Sequence, residues 1–214
     1  MRERLLPTLE TEQELWEQGF LRIAGLDEVG RGPWAGPVVA AAVILPSALG
    51  ALTALTGVRD SKQLSSRSRE RLYDEIVSVA EATGVGWATS QEIDGCGIVC
   101  ATRLAMQRAL HDLGKVPDAL ILDALVLPYV PLPQVAFPCA DARSLSVAAA
   151  SIIAKVTRDR WMVRVAEAAF PGYGFAGHKG YGSRAHQAAL DRLGVCALHR
   201  RSFAPIASRC PSAR

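Results

Sequence analysis

Two apolar runs near the N-terminus predict the first strands of a sheet. Residues 20–26 end directly before two acidic residues, and residues 38–45 contain no polar side chain. The glycine- and proline-containing link over residues 30–37 favours a hairpin-like loop between them. Short apolar segments predict three further strands, at residues 85–89, 119–127 and 134–138.

Helical spacing of apolar residues predicts four helices, at about residues 66–83, 98–113, 144–170 and 184–193. Ser65 or Ser66 is suited to cap the first. In the third, residues 148–151 are small enough for the helix to lie close against a sheet. The strands come first as a hairpin and later alternate with helices, which predicts an α/β fold with a mixed sheet flanked by helices.

Composition fits one soluble globular domain. The chain has 214 residues, half of them apolar and about a fifth charged. The net charge of +3 permits a polyanionic partner without requiring one. The longest apolar run is too short for a membrane span, and the acidic N-terminus does not fit a secretory signal. We therefore expect a cytoplasmic protein with no membrane partner.

Five cysteines are an odd number and include no C-x-x-C pair. This pattern favours a reducing compartment over a disulfide framework. Cys96 and Cys100 lie on a predicted helix without a nearby histidine. Ordinary burial is the expected explanation for this pair, rather than a zinc site.

Acidic residues occur at three places where packing alone does not favour them. Asp27 and Glu28 end the first strand, Asp123 interrupts an apolar run, and Asp141 precedes the long helix. Buried carboxylates need a cation or hydrogen bonds, and converging carboxylates repel one another unless a divalent ion neutralises them. Two such ions can activate water and stabilise the leaving oxygen of a phosphodiester. The acids therefore indicate a metal-dependent nuclease.

Each acid also has a plainer explanation. Asp141 alone is more often a helix N-cap than a catalyst. Asp123 could pair with a buried arginine. Asp27 and Glu28 could form a solvated turn, because adjacent strand residues normally face opposite sides of a sheet. For both to reach one site, the strand must end or bulge there, and Gly30 makes this plausible.

Three segments are candidates for contact with a nucleic-acid backbone. Gly30-Arg31-Gly32 allows close approach to phosphate, although no Gly-Lys-Ser/Thr follows as in a P-loop. Ser61 and Lys62 could touch phosphates, with a surface turn as the default explanation. Tyr181 suits stacking on a nucleotide, although a tyrosine that anchors its loop is the commoner case.

Lys155 and Arg158 lie 14 and 17 positions beyond Asp141. In a continuous helix this separation exceeds about 20 Å at a rise of 1.5 Å per residue. We expect both to pair within the fold or to serve an outer face.

Taken together, these segments resemble the ribonuclease HII family, the type 2 ribonucleases H. The resemblance covers about residues 21–205 in order. The matching segments are AGLDEVGRGP at residues 24–33, AGPVVAAAV at 35–43, DSK at 60–62, SVAAASIIAKVTRD at 146–159, YGF at 173–175, HKGY at 178–181 and RRSF at 200–203.

The resemblance implies a ribonuclease H-like core with a small helical C-terminal extension. It implies an endonuclease that cuts the RNA strand of RNA–DNA hybrids and cuts 5′ to single ribonucleotides in duplex DNA. The products would carry 5′-phosphate and 3′-hydroxyl ends. The family's four acids, which would bind two Mg²⁺ or Mn²⁺ ions, fall on Asp27, Glu28, Asp123 and Asp141.

Family features also fall on the candidate binding residues. The element that senses the ribose 2′-hydroxyl falls on Gly30, Arg31 and Gly32, and the tyrosine of the RNA–DNA junction falls on Tyr181. Relatives often have glycine after the third acid, where this chain has Ala124. Many have a basic residue two positions before the fourth acid, where this chain has Cys139.

We expect a monomer with an N-terminal segment at 1–20, a catalytic core at 21–170 and an extension at 171–214 that completes the substrate groove. The main hypothesis is an active ribonuclease HII working in ribonucleotide excision repair. One alternative is a nucleic-acid-binding module that keeps the fold without the chemistry. Another is a related metal nuclease that prefers DNA or long hybrids.

Overall fold

A five-stranded mixed sheet forms the centre of the molecule, with the order β3-β2-β1-β4-β5. The computed structural model describes residues 6–47, 53 and 55–210. The first three strands are antiparallel neighbours, whereas β4 runs parallel to β1 and β5 runs parallel to β4. The strands are β1 (Ile23–Val29), β2 (Val38–Ile44), β3 (Ala82–Ala88), β4 (Ala119–Asp123) and β5 (Gln134–Phe137). The predicted α/β class and the hairpin between the first two strands are confirmed.

Three strands have boundaries that differ from the prediction by three or more residues. β1 starts at Ile23 and runs on through both acids to Val29, and β3 begins at Ala82. The predicted strand at 119–127 ends at Asp123, because Ala124 has a φ of 57°. A positive φ is incompatible with a continuing strand and is unfavourable for alanine.

The helices are α1 (Glu10–Glu17), α2 (Ser66–Val79), α3 (Ser90–Asp112), α4 (Leu145–Trp161), α5 (Glu167–Ala169), α6 (Phe175–His178), α7 (Arg184–Leu193) and α8 (Ala204–Ala207). A π-helical turn, Met162–Ala166, joins α4 to α5. As predicted, Ser65 caps α2. The predicted helix at 98–113 starts eight residues earlier, because Thr89 and Glu92 form a capping box, and it bends at Gly97, where φ is 80°.

Both faces of the sheet are covered by helices. Along β2, alternate side chains belong to opposite clusters: Ala42 packs in the cluster that includes α3, and Ala41 in the cluster that includes α2 and α4. Helix α4 lies so close to β1 that a Cβ on Gly25 would come within 2.4 Å of Ser146. This close approach explains the small residues along α4.

The N-terminal helix has a role that the sequence pattern did not indicate. Glu12 is buried and accepts hydrogen bonds from the Ser144 hydroxyl at 2.6 Å and the Ser146 amide at 2.9 Å. The Glu12 carboxylate thus satisfies hydrogen-bond donors at the start of α4, and the positive end of the α4 dipole stabilises its charge. Helix α1 therefore fixes the start of α4.

The cysteine prediction is partly wrong. Cys96 and Cys100 are exposed, whereas we expected them to be buried. All five cysteines are free thiols, as expected for a chain without a disulfide framework.

A separate hydrophobic cluster lies at the C-terminal end of α4. It includes Ala35, Met162, Phe175, Leu190 and Ile206. The chain from α6 to α8 therefore packs as a layer against the loop between β1 and β2. We call residues 171–210 the C-terminal layer. The domain boundaries predicted at residues 20 and 170 remain predictions. Residues 1–5 of the N-terminal segment and residues 211–214 of the C-terminal extension lie outside the described residues.

Candidate active site

Two of the predicted acids lie side by side at one edge of the sheet. Leu26 of β1 pairs with Leu122 of β4 in parallel register, so Asp27 and Asp123 follow on neighbouring strands. The carboxyl ends of parallel strands meet at the same edge, which is the usual position for a site in an α/β sheet. Asp27 is 5% exposed.

The third segment reaches the same edge through a backbone contact. Asp141 lies in a 3₁₀ turn, Ala140–Ala142, and the Ala140 amide donates to Asp123 Oδ1 at 3.1 Å. Asp141 does not cap α4, because Ser144 does so by accepting from the Val147 amide. Asp123 forms no ion pair with arginine among the residues described here. The two plainer explanations for these acids are therefore wrong.

Repulsion links the four carboxylates. Burial raises the pKa of Asp27 well above its usual range, and Glu28 and Asp141 raise it further. Burial also raises the pKa of Glu28, with repulsion from Asp123 acting in the same direction. Burial, then Asp60, raises the pKa of Asp141 to about 6, and Asp123 adds to this shift. The four carboxylates repel one another when they are charged. The site therefore lacks the positive charge that would balance them.

One carboxylate oxygen at this site has no partner. Glu28 Oε1 accepts from Arg31 at 3.2 Å, but Glu28 Oε2 is buried without any hydrogen bond. Such an oxygen is costly unless a cation or a donor compensates it. Carboxylate oxygens are the ligands that Mg²⁺ and Mn²⁺ prefer, so this set of donors fits a divalent ion.

The acidic side chains do not converge on a single point. In the part of the chain that the structure describes, no three His, Cys, Asp or Glu side chains are already arranged to hold a metal. Arg31 pairs with Glu28, and Lys62 Nζ lies 3.9 Å from Asp141 Oδ2. Binding of an ion would therefore require these side chains to exchange partners.

Ser61 is placed beside the acids, but its hydroxyl faces inward. It is buried and lies 2.9 Å from the Ser151 hydroxyl on α4. The Ser151 hydroxyl interacts with the Asp27 carboxylate and opposes the rise in its pKa that burial causes. The serine pair therefore orients Asp27, and contact between Ser61 and a substrate remains a prediction.

We expect Ser151→Ala to reduce cleavage by about tenfold, the lower end of the effect of losing a group that orients a metal ligand. The reason is that Asp27 loses its donor and becomes easier to protonate. Initial rates at saturating Mg²⁺ would measure this. Ser90→Ala is the matched control, because Ser90 is also a buried serine but bonds Ala197 O, and an equal loss there would contradict the assignment.

The remaining candidate binding residues surround the same edge. Lys62 Nζ lies 3.9 Å from Asp141 Oδ2, and its side chain is largely exposed. A Cβ on Gly32 would lie 4.0 Å from the Tyr181 ring, so the Gly30-Arg31-Gly32 segment and Tyr181 are neighbours. Gly30 has a φ of 92°, which only glycine adopts readily. The structure thus brings all of the predicted site segments to one side of the molecule.

Lys155 and Arg158 both make contacts within the fold, as expected. Lys155 pairs with Asp159 at 2.9 Å, and Arg158 is fully buried. The guanidinium of Arg158 donates to backbone carbonyls, including Pro37 O at 2.9 Å and Ala35 O at 3.2 Å.

A histidine network holds the loop that carries Tyr181. His186 Nδ1 lies 2.9 Å from Tyr181 O, and its Nε2 lies 3.0 Å from His199 Nε2. Because a carbonyl only accepts, His186 carries its proton on Nδ1, and His199 donates through Nε2. His199 Nδ1 is then free to accept from the Cys196 amide at 2.9 Å. The network is complete only while both rings are neutral.

The C-terminal layer should therefore be sensitive to acid. Burial lowers the pKa of both His186 and His199 from 6.5 to about 4. The unfolded chain takes up protons below pH 6.5 that the folded chain refuses, so stability is lost as the pH falls from about 6.5 towards 4. We expect His199→Gln to reduce the fall in unfolding free energy between pH 7 and pH 5, measured in urea. The exposed His111→Gln should leave it unchanged, and equal slopes in both variants would refute the explanation.

No helix within the described residues is both long enough and apolar enough to cross a membrane.

Comparisons with known proteins agree with the geometry. A sequence model described as Ribonuclease HII matches residues 24–206. Proteins named Ribonuclease HII from Syntrophotalea carbinolica and Chloroflexus aurantiacus are each 53% identical to this chain, covering 90% and 94% of it and 90% and 95% of their own lengths. The crystal structure of ribonuclease H2 from Pyrococcus horikoshii is similar with a TM-score of 0.72 and 28% identity, covering 87% of this chain and 96% of that one.

Proposed function

Since the chain belongs to the ribonuclease HII family, we propose that it also cuts duplex DNA on the 5′ side of a single embedded ribonucleotide, besides cutting the RNA strand of hybrids. Membership makes the chain a ribonuclease H, a metal-dependent endonuclease acting on RNA–DNA hybrids. The proposed products carry 5′-phosphate and 3′-hydroxyl ends. Such a reaction would serve the removal of ribonucleotides from DNA.

The orphaned oxygen of Glu28 among mutually repelling acids is the observation that carries the chemistry. Asp27, Glu28, Asp123 and Asp141 would hold two Mg²⁺ or Mn²⁺ ions. When bound, such ions lower the pKa of water and stabilise the leaving oxygen. The protein's own contribution is to fix the carboxylates at the sheet edge and to orient Asp27 through Ser151.

Substrate recognition is proposed for the exposed residues beside the acids. Arg31 and Gly32 are exposed at the turn, and Tyr181 lies next to Gly32. The ribose 2′-hydroxyl both donates and accepts hydrogen bonds, so the backbone of this turn can distinguish RNA from DNA. Tyr181 would stack at the junction nucleotide, and Lys62 would contact phosphate. The C-terminal layer would complete the groove.

A cleavage assay on three labelled duplexes tests the proposal. One contains a single ribonucleotide in DNA, one is a long RNA–DNA hybrid and one is all DNA. We expect cutting of the first two, with the incision mapped to the 5′ side of the ribonucleotide, and no cutting of the third. Cleavage only within the long hybrid would refute the single-ribonucleotide proposal.

Binding without cleavage of any duplex would instead support a module that keeps only the fold. Cleavage of the all-DNA duplex would support a less selective metal nuclease. A monomeric, cytoplasmic enzyme remains our expectation, which size-exclusion chromatography with light scattering and cell fractionation would check.

A further inference from the structure

A fully buried arginine lies directly behind the segment that we propose reads the ribose. Arg200, in the C-terminal layer, is 0% exposed. Its guanidinium donates to the backbone carbonyls of Gly30, Arg31 and Gly36. The bond to Arg31 O measures 2.8 Å and the bonds to Gly36 O measure 3.0 and 2.9 Å.

From these contacts we propose that Arg200 is a positioning residue that sets the Gly30-Arg31-Gly32 turn in the conformation that distinguishes ribose from deoxyribose. The inference rests on the function proposed above, because it assigns the source of that selectivity. Arg200 does not touch the substrate in this proposal. It acts through the peptide groups of the turn.

The orientation of two peptide groups supports the inference. In a trans peptide the C=O and the N–H point in opposite directions. The carbonyls of Gly30 and Arg31 turn inward to Arg200, so the amides of Arg31 and Gly32 turn away from it. Arg31 and Gly32 are exposed. No acceptor within the described residues receives a hydrogen bond from either amide. The turn therefore presents two free donors on its outer side.

The charge of Arg200 is not balanced by an ion pair with any described carboxylate. Among the residues that the structure describes, no carboxylate forms an ion pair with it, and Arg158, a second buried guanidinium, lies close enough to repel it. Burial and Arg158 lower the pKa of Arg200 to about 9, so it remains charged at neutral pH. A buried cation held only by carbonyls is expensive, and it holds those carbonyls firmly in return.

The segment around Arg200 is itself anchored from outside. Asp94 on α3 accepts from the Arg201 amide at 2.9 Å and from the Ser202 amide at 2.8 Å. The Arg200 amide donates to Trp34 O at 2.8 Å, and its guanidinium lies 5.1 Å from the Phe203 ring centre. These contacts fix the guanidinium, and through it the turn.

The proposed role of Arg200 is tested by the binding preference for ribonucleotide-containing over all-DNA duplex, which does not depend on cleavage. Fluorescence anisotropy in EDTA would compare two duplexes of identical sequence, one with a single ribonucleotide and one all DNA. We expect Arg200→Lys, which keeps the charge but cannot reach three carbonyls at once, to lower the affinity ratio by about tenfold, the effect of losing one hydrogen bond. Affinity for the all-DNA duplex should change little.

Leu190→Ala is the matched control. Leu190 is buried in the same C-terminal layer, and the hydrophobic cluster that contains it includes no residue of the turn. This variant should lower the melting temperature about as much as Arg200→Lys does. It should nevertheless keep the affinity ratio of the wild type. An equal loss of ratio in both variants would show a general effect of stability and overturn the proposal.

A second variant decides the matter if Arg200→Lys does not fold. Asp94→Asn loosens the anchored segment from the surface, and we expect a partial loss of the ratio with native circular dichroism. A wild-type ratio in a folded Arg200→Lys protein, or in Asp94→Asn if the first is unfolded, would overturn the inference. Absence of any ribonucleotide preference in the wild type would instead refute the proposed function.

Discussion

Asp27→Asn is expected to reduce cleavage by on the order of 10³-fold or more, because a neutral amide replaces a buried carboxylate that we propose binds a divalent ion. Binding of the hybrid should persist, since Asp27 lies in the floor of the site and is almost fully buried. Single-turnover cleavage and anisotropy would measure the two effects separately. Near-normal turnover in Mg²⁺ would contradict the proposed role of Asp27.

The same substitution should stabilise the metal-free protein. Burial and Glu28 raise the pKa of Asp27, so its charge costs folding free energy at neutral pH. Asparagine removes the charge and keeps an oxygen for the Ser151 hydroxyl. A gain of about 1 kcal/mol would raise the melting temperature of a chain of this size by about 2–4 °C.

Asp118→Asn serves as the control, because its expected effect on stability has the opposite sign. Asp118 lies before β4 and accepts from the Arg22 amide at 2.9 Å. Hydrogen bonds from Arg22 lower the pKa of this carboxylate, so its charge is favourable in the folded state. The variant should lose some stability and retain full cleavage. A similar loss of activity in both variants would point to a general defect.

Removal of divalent ions is expected to abolish cleavage altogether. The four acids provide charge without a compensating cation, so a chelator leaves the site with repelling carboxylates and no Lewis acid. Added Mg²⁺ or Mn²⁺ should restore activity. Cleavage that survives exhaustive treatment with EDTA would contradict the metal requirement.

Thermal denaturation gives a second measure of metal binding that does not involve activity. An ion that binds only the folded state stabilises it by about 2.7 kcal/mol at a hundred times its dissociation constant. We expect Mn²⁺ to raise the melting temperature of the wild type and to have a much smaller effect on Asp141→Asn. An equal rise in both proteins would place the ion elsewhere.

Local pattern predicted the parts of the fold that depend on neighbouring residues. The apolar run of β2 is buried on both faces, Ser65 caps α2, and the link after Gly30 forms the expected antiparallel connection. Hydrophobic periodicity and capping act over a few residues, so they can be read from the chain directly.

The start of α3 and the end of β4 were predicted wrongly, each for a local reason. The capping box at Thr89 was available in the sequence and would have placed the helix start correctly. The positive φ of Ala124 was not, because alanine gives no signal for a conformation that usually requires glycine.

The sequence alone determined which acids to examine, the class of fold and the family, since the motifs lie in order along the chain. Only the tertiary structure showed that Glu28 has a buried oxygen without a hydrogen bond, that Ser151 interacts with Asp27 and that Arg200 donates to the carbonyls of the Gly30-Arg31-Gly32 turn. Arg200 and Arg31 are 169 residues apart. Contacts of a side chain with a distant backbone carbonyl leave no periodic trace, because every residue offers the same carbonyl and folding alone selects which one is met.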